Sequence, residues 1–360
     1  GQNGAFISLG GGIDLADYAK FYQQHSDAVP GSPKKLNIIT IDGAKNDFGD
    51  PNGADGENSL DAIQMQSVAP KANVSMILGQ NTDQSFNNVF VRGIFPQAGE
   101  GQNSVVSSSW GAPESGQSTQ AINTMSQTFK QGVIRGVQVF SASGDTGAKD
   151  GARDYEVDYP SSDPNVTGVG GLKMTLTPSD KVSKADAWNE GTDSSTGGGI
   201  SKVFKLPTWQ AAVNKVLNLD TGKPGRGVPD VSTDADPATG FRVRVDGGEY
   251  VIGGTSDAAP LYSGMMLNIN SELAAAGIKQ VSPLNPWLYA RAGTPVFTDV
   301  TTGDNNGYKT AKGWDPVTGL GYIDGQNMLD AMKANQTANV GGKGVFTAPG
   351  GSDGSDHRKR

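Results

Sequence analysis

Apolar and β-branched residues fall in short runs along this chain, separated by stretches in which they recur every three or four positions. Ala5–Leu9 (AFISL), Leu36–Asp42 (LNIITID), Asn73–Leu78 (NVSMIL), Ser104–Ser108 (SVVSS) and Val137–Ser141 (VQVFS) read as largely buried strands. Ser59–Ala69 sets Leu60, Ile63 and Met65 beside polar positions, and Gln120–Arg135 carries Ile122, Met125, Phe129 and Val133 at helical steps. Strands alternating with helices over short connections predict an α/β fold with a mainly parallel central sheet flanked by helices. Functional loops then gather at the carboxyl ends of the strands.

From Asp150 to Asp246 the pattern loosens into Gly, Asp, Ser and Pro, with short strands such as Val166–Thr177. This stretch reads as long surface loops plus outer strands of the sheet. A helix resumes after Pro260 and is apolar on most sides through Ile269, which makes it central. A last helix is expected from an Asp324 cap to about Asn335. Residues 1–336 form one domain on this reading, without internal repeats, and 337–360 a Gly/Ser-rich disordered tail ending in HRKR.

Composition narrows the chemistry. The 360 residues hold 37 acids against 29 bases, a net charge of −8, which argues against a nucleic-acid partner. No apolar run approaches the roughly 20 residues of a membrane span. Cysteine is absent, so there are no disulfides, thiolate nucleophiles or thiolate-ligated metals, and the redox compartment stays open. The two histidines, His25 and His357, lie in a polar stretch and in the tail, and neither suits a catalytic base. A hydrolase built on this chain must take its base from a carboxylate. The start is abrupt, with a core strand almost at once, as in a processed or trimmed product.

Three segments can carry such chemistry. In Gly253–Pro260 (GGTSDAAP), Ser256 sits at a Gly-rich strand-to-helix turn near the positive end of a helix dipole, the place of an exposed nucleophile and equally of a simple helix cap. Glu57 and Asp61 are spaced i,i+4 near a helix start, so they stack on one face and share a proton at acid pH; a solvated helix N-terminus has the same look. Asp145 follows the strand VQVF in SASGDTG, where a protonated carboxyl can donate to an oxyanion and where a plain turn is also natural. Farther on, FTDVTTG and AKGWDP place Asp299 and Asp315 among turn carbonyls, an oxygen set suited to calcium but unlike an EF-hand.

Taken in order, SLGGG, DGENSLD, SSSWGAPES, SASGDTG, VDYPSSDP, TGGGISKVFKLPTWQ, GRGVPDVSTDADPATG, GGTSDAAP and FTDVTTGDN followed by KGWDPVTGLG resemble the sedolisin (serine-carboxyl peptidase) family, closest to its kumamolisin branch. The resemblance runs from Gly1 to about Met332 and implies a subtilisin-like single domain with a Ser–Glu–Asp triad. It implies Ser256 as nucleophile, Glu57 as general base, Asp61 behind it, and Asp145 as oxyanion donor beside the Ser256 N–H. It further implies a substrate cleft at Ser109, Trp110 and Gly111, with Asp158 favouring a basic substrate side chain. One calcium ion would be held by Asp299, Asp315 and the carbonyls of Val300, Ala311 and Gly313. A secreted monomer acting on proteins or peptides, released from an N-terminal propeptide, completes what the resemblance implies.

Two positions depart from the pattern: Ser8 stands where the kumamolisin branch has a Glu linked to the base, and Asp257 replaces the usual Ala after the nucleophile. Ser8 is expected to retune the base, and Asp257 to shift the acid side of the pH profile. The expected activity is endopeptidase cleavage through an acyl-enzyme, with a maximum below about pH 5. Two other classes compete with this reading: a non-catalytic calcium-dependent binding protein whose elbow Asp257 has spoiled, and a hinged solute-binding protein. The latter calls for two similar halves, and the sequence shows no duplication.

Overall fold

The apolar runs pair side by side. In the computed structural model, which describes residues 1–27, 29, 33–50 and 53–341, eight strands form one sheet: β1 (Asn3–Leu9), β2 (Asn37–Thr40), β3 (Asn73–Gly79), β4 (Val105–Ser108), β5 (Gln138–Ala142), β6 (Thr167–Leu176), β7 (Val182–Ala187) and β8 (Val231–Asp234). Their order is β8-β6-β5-β4-β1-β3-β2, every neighbouring pair parallel, and β7 adds to β6 antiparallel. The chain thus builds outward from β1 on one side, returns, and builds outward on the other.

Alternation along β1 divides the core. Ala5 and Ile7 face helices α3 (Asp83–Ile94) and α4 (Thr119–Arg135), packing with Phe86, Phe90, Met125 and Phe129. Phe6 points the other way, toward α2 (Ala54–Val68) and α5 (Thr255–Ala275), among Leu60, Ile63, Met65, Met266 and Leu267. Helix α4 shows why these limits hold: Ser118 caps its first turn by accepting from the Ala121 N–H at 3.1 Å, and Gly136, at φ 83°, ends it in the left-handed conformation.

Three expectations need correction. Helix α2 begins at Ala54, five residues before Ser59, so Glu57 and Asp61 both lie inside it. Helix α5 begins at Thr255 and Pro260 falls within it, because a Pro five residues into a helix lacks a donor only for the carbonyl of Ser256. The stretch from Asp150 to Asp246 is not all surface: Arg226 is fully buried, 2.5 Å from Asp230, whose other oxygen accepts from Tyr289 at 2.8 Å. The last helix, α7 (Gly325–Gly341), starts at the expected Asp324 cap and runs past Asn335 through 337–341, the expected start of the tail; the rest of that tail, 342–360, lies outside the described residues.

Candidate active site

The loop after β1 anchors the start of α2. The Asp55 carboxylate accepts the backbone N–H groups of Gly12, Gly49 and Asp50 at 2.6, 2.8 and 2.9 Å, in place of a side-chain cap at Gly53. This fixes the helix so that Glu57, Asp61 and Gln64, at i, i+4 and i+7, form a polar stripe facing α5. Asp61 is fully buried. The hydroxyl of Ser109, the first residue after β4, shares a hydrogen bond with Asp61 Oδ1 at 2.5 Å.

Burial decides the protonation of the stripe. Loss of water raises Glu57 to about 7, against a hydrogen bond from Ser256 that pulls it down and the Asp145 charge that pushes it up. Asp61 is raised well above its ordinary value, first by burial and then by the Glu57 charge. Both carboxyls are thus raised first by facing another helix, away from water, and the mutual repulsion expected from i,i+4 spacing is the smaller cause for Asp61.

Ser256 is the second residue of α5, so its N–H is one of the free donors at a helix N-terminus. The turn before it can be made only by glycine. Gly254 has φ 122°, and a Cβ there would lie 2.8 Å from Asp145 Oδ2. Asp145 arrives from the carboxyl end of β5 and is gripped by the residue next to Ser256. Thr255 donates to Asp145 Oδ1 from both its N–H and its hydroxyl, each at 2.7 Å. Oδ2 takes no hydrogen bond among the described residues. Burial raises Asp145, with the two Thr255 bonds opposing it. Since Oδ1 already accepts two donors, the proton of the neutral acid belongs on Oδ2.

These groups share a cleft of about 270 Å³ lined by Ser109, Gly111, Asp145, Asp150, Asp158 and Ser256 among others. Trp110 is not part of this lining; its ring packs against the core under α3 and α4. The wall is tight at Gly111, where a Cβ would meet Asp158 Oδ1 at 2.1 Å. Asp158 and Asp150 sit together: burial and the Asp150 charge raise Asp158 well above its usual range, and burial with the Asp145 charge raises Asp150 to about 7. Sequence reasoning missed Asp150 and Thr255. Thr255 stands directly before Ser256 in GGTS, but nothing in its neighbours tells that it reaches across to Asp145.

The two departures from the family pattern lie behind the site. Ser8 is buried and its hydroxyl donates to Asn58, the neighbour of Glu57 on α2. Asp257 is fully buried and faces α2, where Gln64 donates to its Oδ1 at 3.3 Å. Its side chain turns away from the cleft and obstructs nothing in front of Ser256.

In the loops before α7, Asp299 Oδ2 accepts the Gly313 N–H at 2.8 Å, while Asp315 accepts the N–H groups of Ala311, Val317 and Thr318 at 2.8–2.9 Å. The bonds to Gly313 and Ala311 tie the chain around Asp299 and Asp315 to the intervening loop. The two carboxylates and the carbonyls that the resemblance adds, those of Val300, Ala311 and Gly313, are all hard oxygens, a set whose chemistry suits a calcium ion.

Residues 48–283 match the Subtilase family. The chain belongs to the subtilase family, in its sedolisin–kumamolisin group. It is 38% identical to "Kumamolisin" of Bacillus sp. (strain MN-32) over 343 residues, covering 92% of this chain and 60% of that protein. It is 30% identical to "Sedolisin" of Pseudomonas sp. (strain 101), covering 91% of this chain and 57% of the relative. Among solved structures, "Pseudomonas sedolisin (serine-carboxyl proteinase) complexed with two molecules of pseudo-iodotyrostatin" superposes with a TM-score of 0.79 at 25% identity, covering 93% of each chain. "Sphericase", at 17% identity and a TM-score of 0.57, shares the fold. The chain spans about 60% of the length of these curated relatives. The resemblance in the motifs and the subtilisin-like sheet agree with this membership.

Proposed function

We propose that this sedolisin-group chain carries an acid-active serine-carboxyl endopeptidase centre. The observation that carries the reading is the convergence of a nucleophile, a base and an acid from three separate elements. Ser256 of α5 lies beside Glu57 of α2 and lowers its pKa, Asp61 stands one turn behind Glu57, and Asp145 after β5 offers a free Oδ2. In the reaction, Ser256 Oγ attacks the peptide carbonyl carbon as its proton passes to Glu57. The carbonyl oxygen becomes an oxyanion between the Ser256 N–H and the Asp145 Oδ2–H. When the C–N bond breaks, Glu57 returns the proton to the leaving amine, and the acyl group remains as an ester on Ser256. Water then repeats the steps in reverse roles, regenerating the serine.

The working state needs Glu57 ionised and Asp145 protonated, so one negative charge is shared in a dry cluster. That restricts catalysis to the acid side. Substrates are proteins or peptides, and Asp158 with Asp150 on the cleft wall favours a basic side chain next to the scissile bond. One calcium ion held by Asp299, Asp315 and the carbonyls of Val300, Ala311 and Gly313 would brace the loops before α7. Secretion as a monomer, after removal of an N-terminal propeptide, completes the proposal; among the described residues no helix is long and apolar enough to cross a membrane.

The non-catalytic alternative required Asp257 to spoil the nucleophile's turn, and the direction of its side chain favours the enzyme instead. The test is cleavage of casein across acid pH, wild type against Ser256→Ala, with the fold of each checked by circular dichroism. Loss of cleavage in a folded variant is expected; full turnover by Ser256→Ala would show that the nucleophile lies elsewhere.

A further inference from the structure

The first turn of α5 carries an irregularity at the nucleophile itself. Pro260 has no N–H, and in a helix the bond it cannot make is the one to the carbonyl four residues earlier, that of Ser256. A buried carbonyl left without a donor is costly, so the chain supplies one from outside the helix. Ser109 Oγ lies 3.2 Å from the Ser256 carbonyl oxygen and 2.5 Å from Asp61 Oδ1.

We propose that Ser109 is a positioning residue whose hydroxyl ties the Asp61 carboxyl to the backbone of Ser256, at the carbonyl that Pro260 deprives of its helical donor. A hydroxyl has one proton to give and two lone pairs to offer. With Asp61 protonated, Asp61 donates to Ser109 Oγ and Ser109 donates to the Ser256 carbonyl, closing a loop from α2 through the end of β4 to α5. Burial holds Asp61 in that protonated form, and the carboxyls of Glu57 and Asp257 around it act in the same direction. The loop fixes the spacing between the base-bearing helix and the nucleophile-bearing helix, which have no covalent link near the site. Ser109 then serves the reaction through Asp61 and Ser256 in addition to lining the cleft, the role its motif implied.

This inference deepens the peptidase reading and rests on it for the kinetic arm of its test. Four chains are compared: wild type, Ser109→Ala, Pro260→Ala and the double variant. Pro260→Ala restores the N–H that can satisfy the Ser256 carbonyl from within α5. In the presence of Pro260, Ser109→Ala should lower kcat by about tenfold with KM nearly unchanged; in the Pro260→Ala background the same change should cost no more than about threefold. Equal losses in both backgrounds, or a loss confined to KM, would overturn the proposal and leave Ser109 as a substrate contact. The same cycle is read by thermal melting without reference to activity. Non-additive melting temperatures support the hydroxyl–carbonyl link and additive ones refute it. A wild-type chain that cleaves nothing would sink the peptidase reading, while the melting cycle still decides the link.

Discussion

Thr255 holds Asp145 by one oxygen and leaves the other free. Both Thr255 donors, the backbone N–H and the hydroxyl, converge at 2.7 Å on Oδ1, so Oδ2 alone can carry the proton of the neutral acid. The residue beside Ser256 therefore orients the Asp145 carboxyl, the proposed oxyanion donor, and couples it to Ser256 through one peptide bond.

Removing that donor should lower kcat far more than it raises KM, because the bond to the oxyanion exists only in the transition state. Asp145→Ala is expected to lose about a hundred- to a thousandfold in kcat. Thr255→Val keeps the backbone bond and loses the hydroxyl one, so its loss should be smaller. Steady-state kinetics on a peptide substrate decides this; a greater loss in Thr255→Val than in Asp145→Ala would refute the assignment.

Activity should follow a bell on the acid side. Below the raised carboxyl range both Glu57 and Asp145 are protonated and no base is available. Above that range both are ionised and the donor is gone; burial raises Glu57 to about 7 and raises Asp145 as well, so both arms move up. Sequence alone put the maximum below about pH 5; burial extends the upper arm toward neutrality. A rate still climbing between pH 7 and pH 8 in a pH–rate profile would contradict the carboxyl mechanism.

The fold itself should prefer acid. Glu57 and Asp150 are each raised to about 7, and Asp61, Asp145, Asp158 and Asp257 are raised as well, in every case first by burial. A carboxyl whose folded value exceeds its unfolded one, near about 4, contributes stability that is complete below about 4 and disappears as pH rises through the folded value. The melting temperature is thus expected to fall as pH climbs from about 4 to beyond 7. Scanning calorimetry across that window checks it, and a rising or constant melting temperature would count against the buried-acid account.

Calcium should stabilise the loops before α7. Chelation is expected to lower the melting temperature of the wild-type chain by on the order of 5 °C, with recovery on adding calcium. Asp299→Ala, which removes an exposed ligand and one bond to Gly313, should melt lower from the start and ignore the chelator. An identical chelator response in both chains would remove calcium from this site.

Much of this was legible in the residues. The parallel sheet followed from apolar runs at strand length, and the i,i+4 stacking of Glu57 and Asp61 from helical geometry. Ser256 at a Gly-rich turn and Asp145 after a buried strand stood where such folds gather function. Where reading went astray, the reason was local. Pro260 suggested a helix start because Pro suits that place, yet the helix begins at Thr255, and the carbonyl that Pro260 cannot serve lies 3.2 Å from the Ser109 hydroxyl just after β4. Asp257 looked like a threat to the nucleophile, and packing turned it toward Gln64.

The sequence by itself determined the strands, the helices and the kinds of group available: a chain without cysteine and with two peripheral histidines had to build its chemistry from carboxyls and hydroxyls. Only the tertiary structure decided which carboxyls meet and which lose their water. Periodicity assigns a side chain to a face of its own element, whereas a raised carboxyl depends on what another element lays over that face. Glu57 and Asp61 would be ordinary acids on a solvated helix; their carboxyls are raised because α5 and the end of β4 cover them.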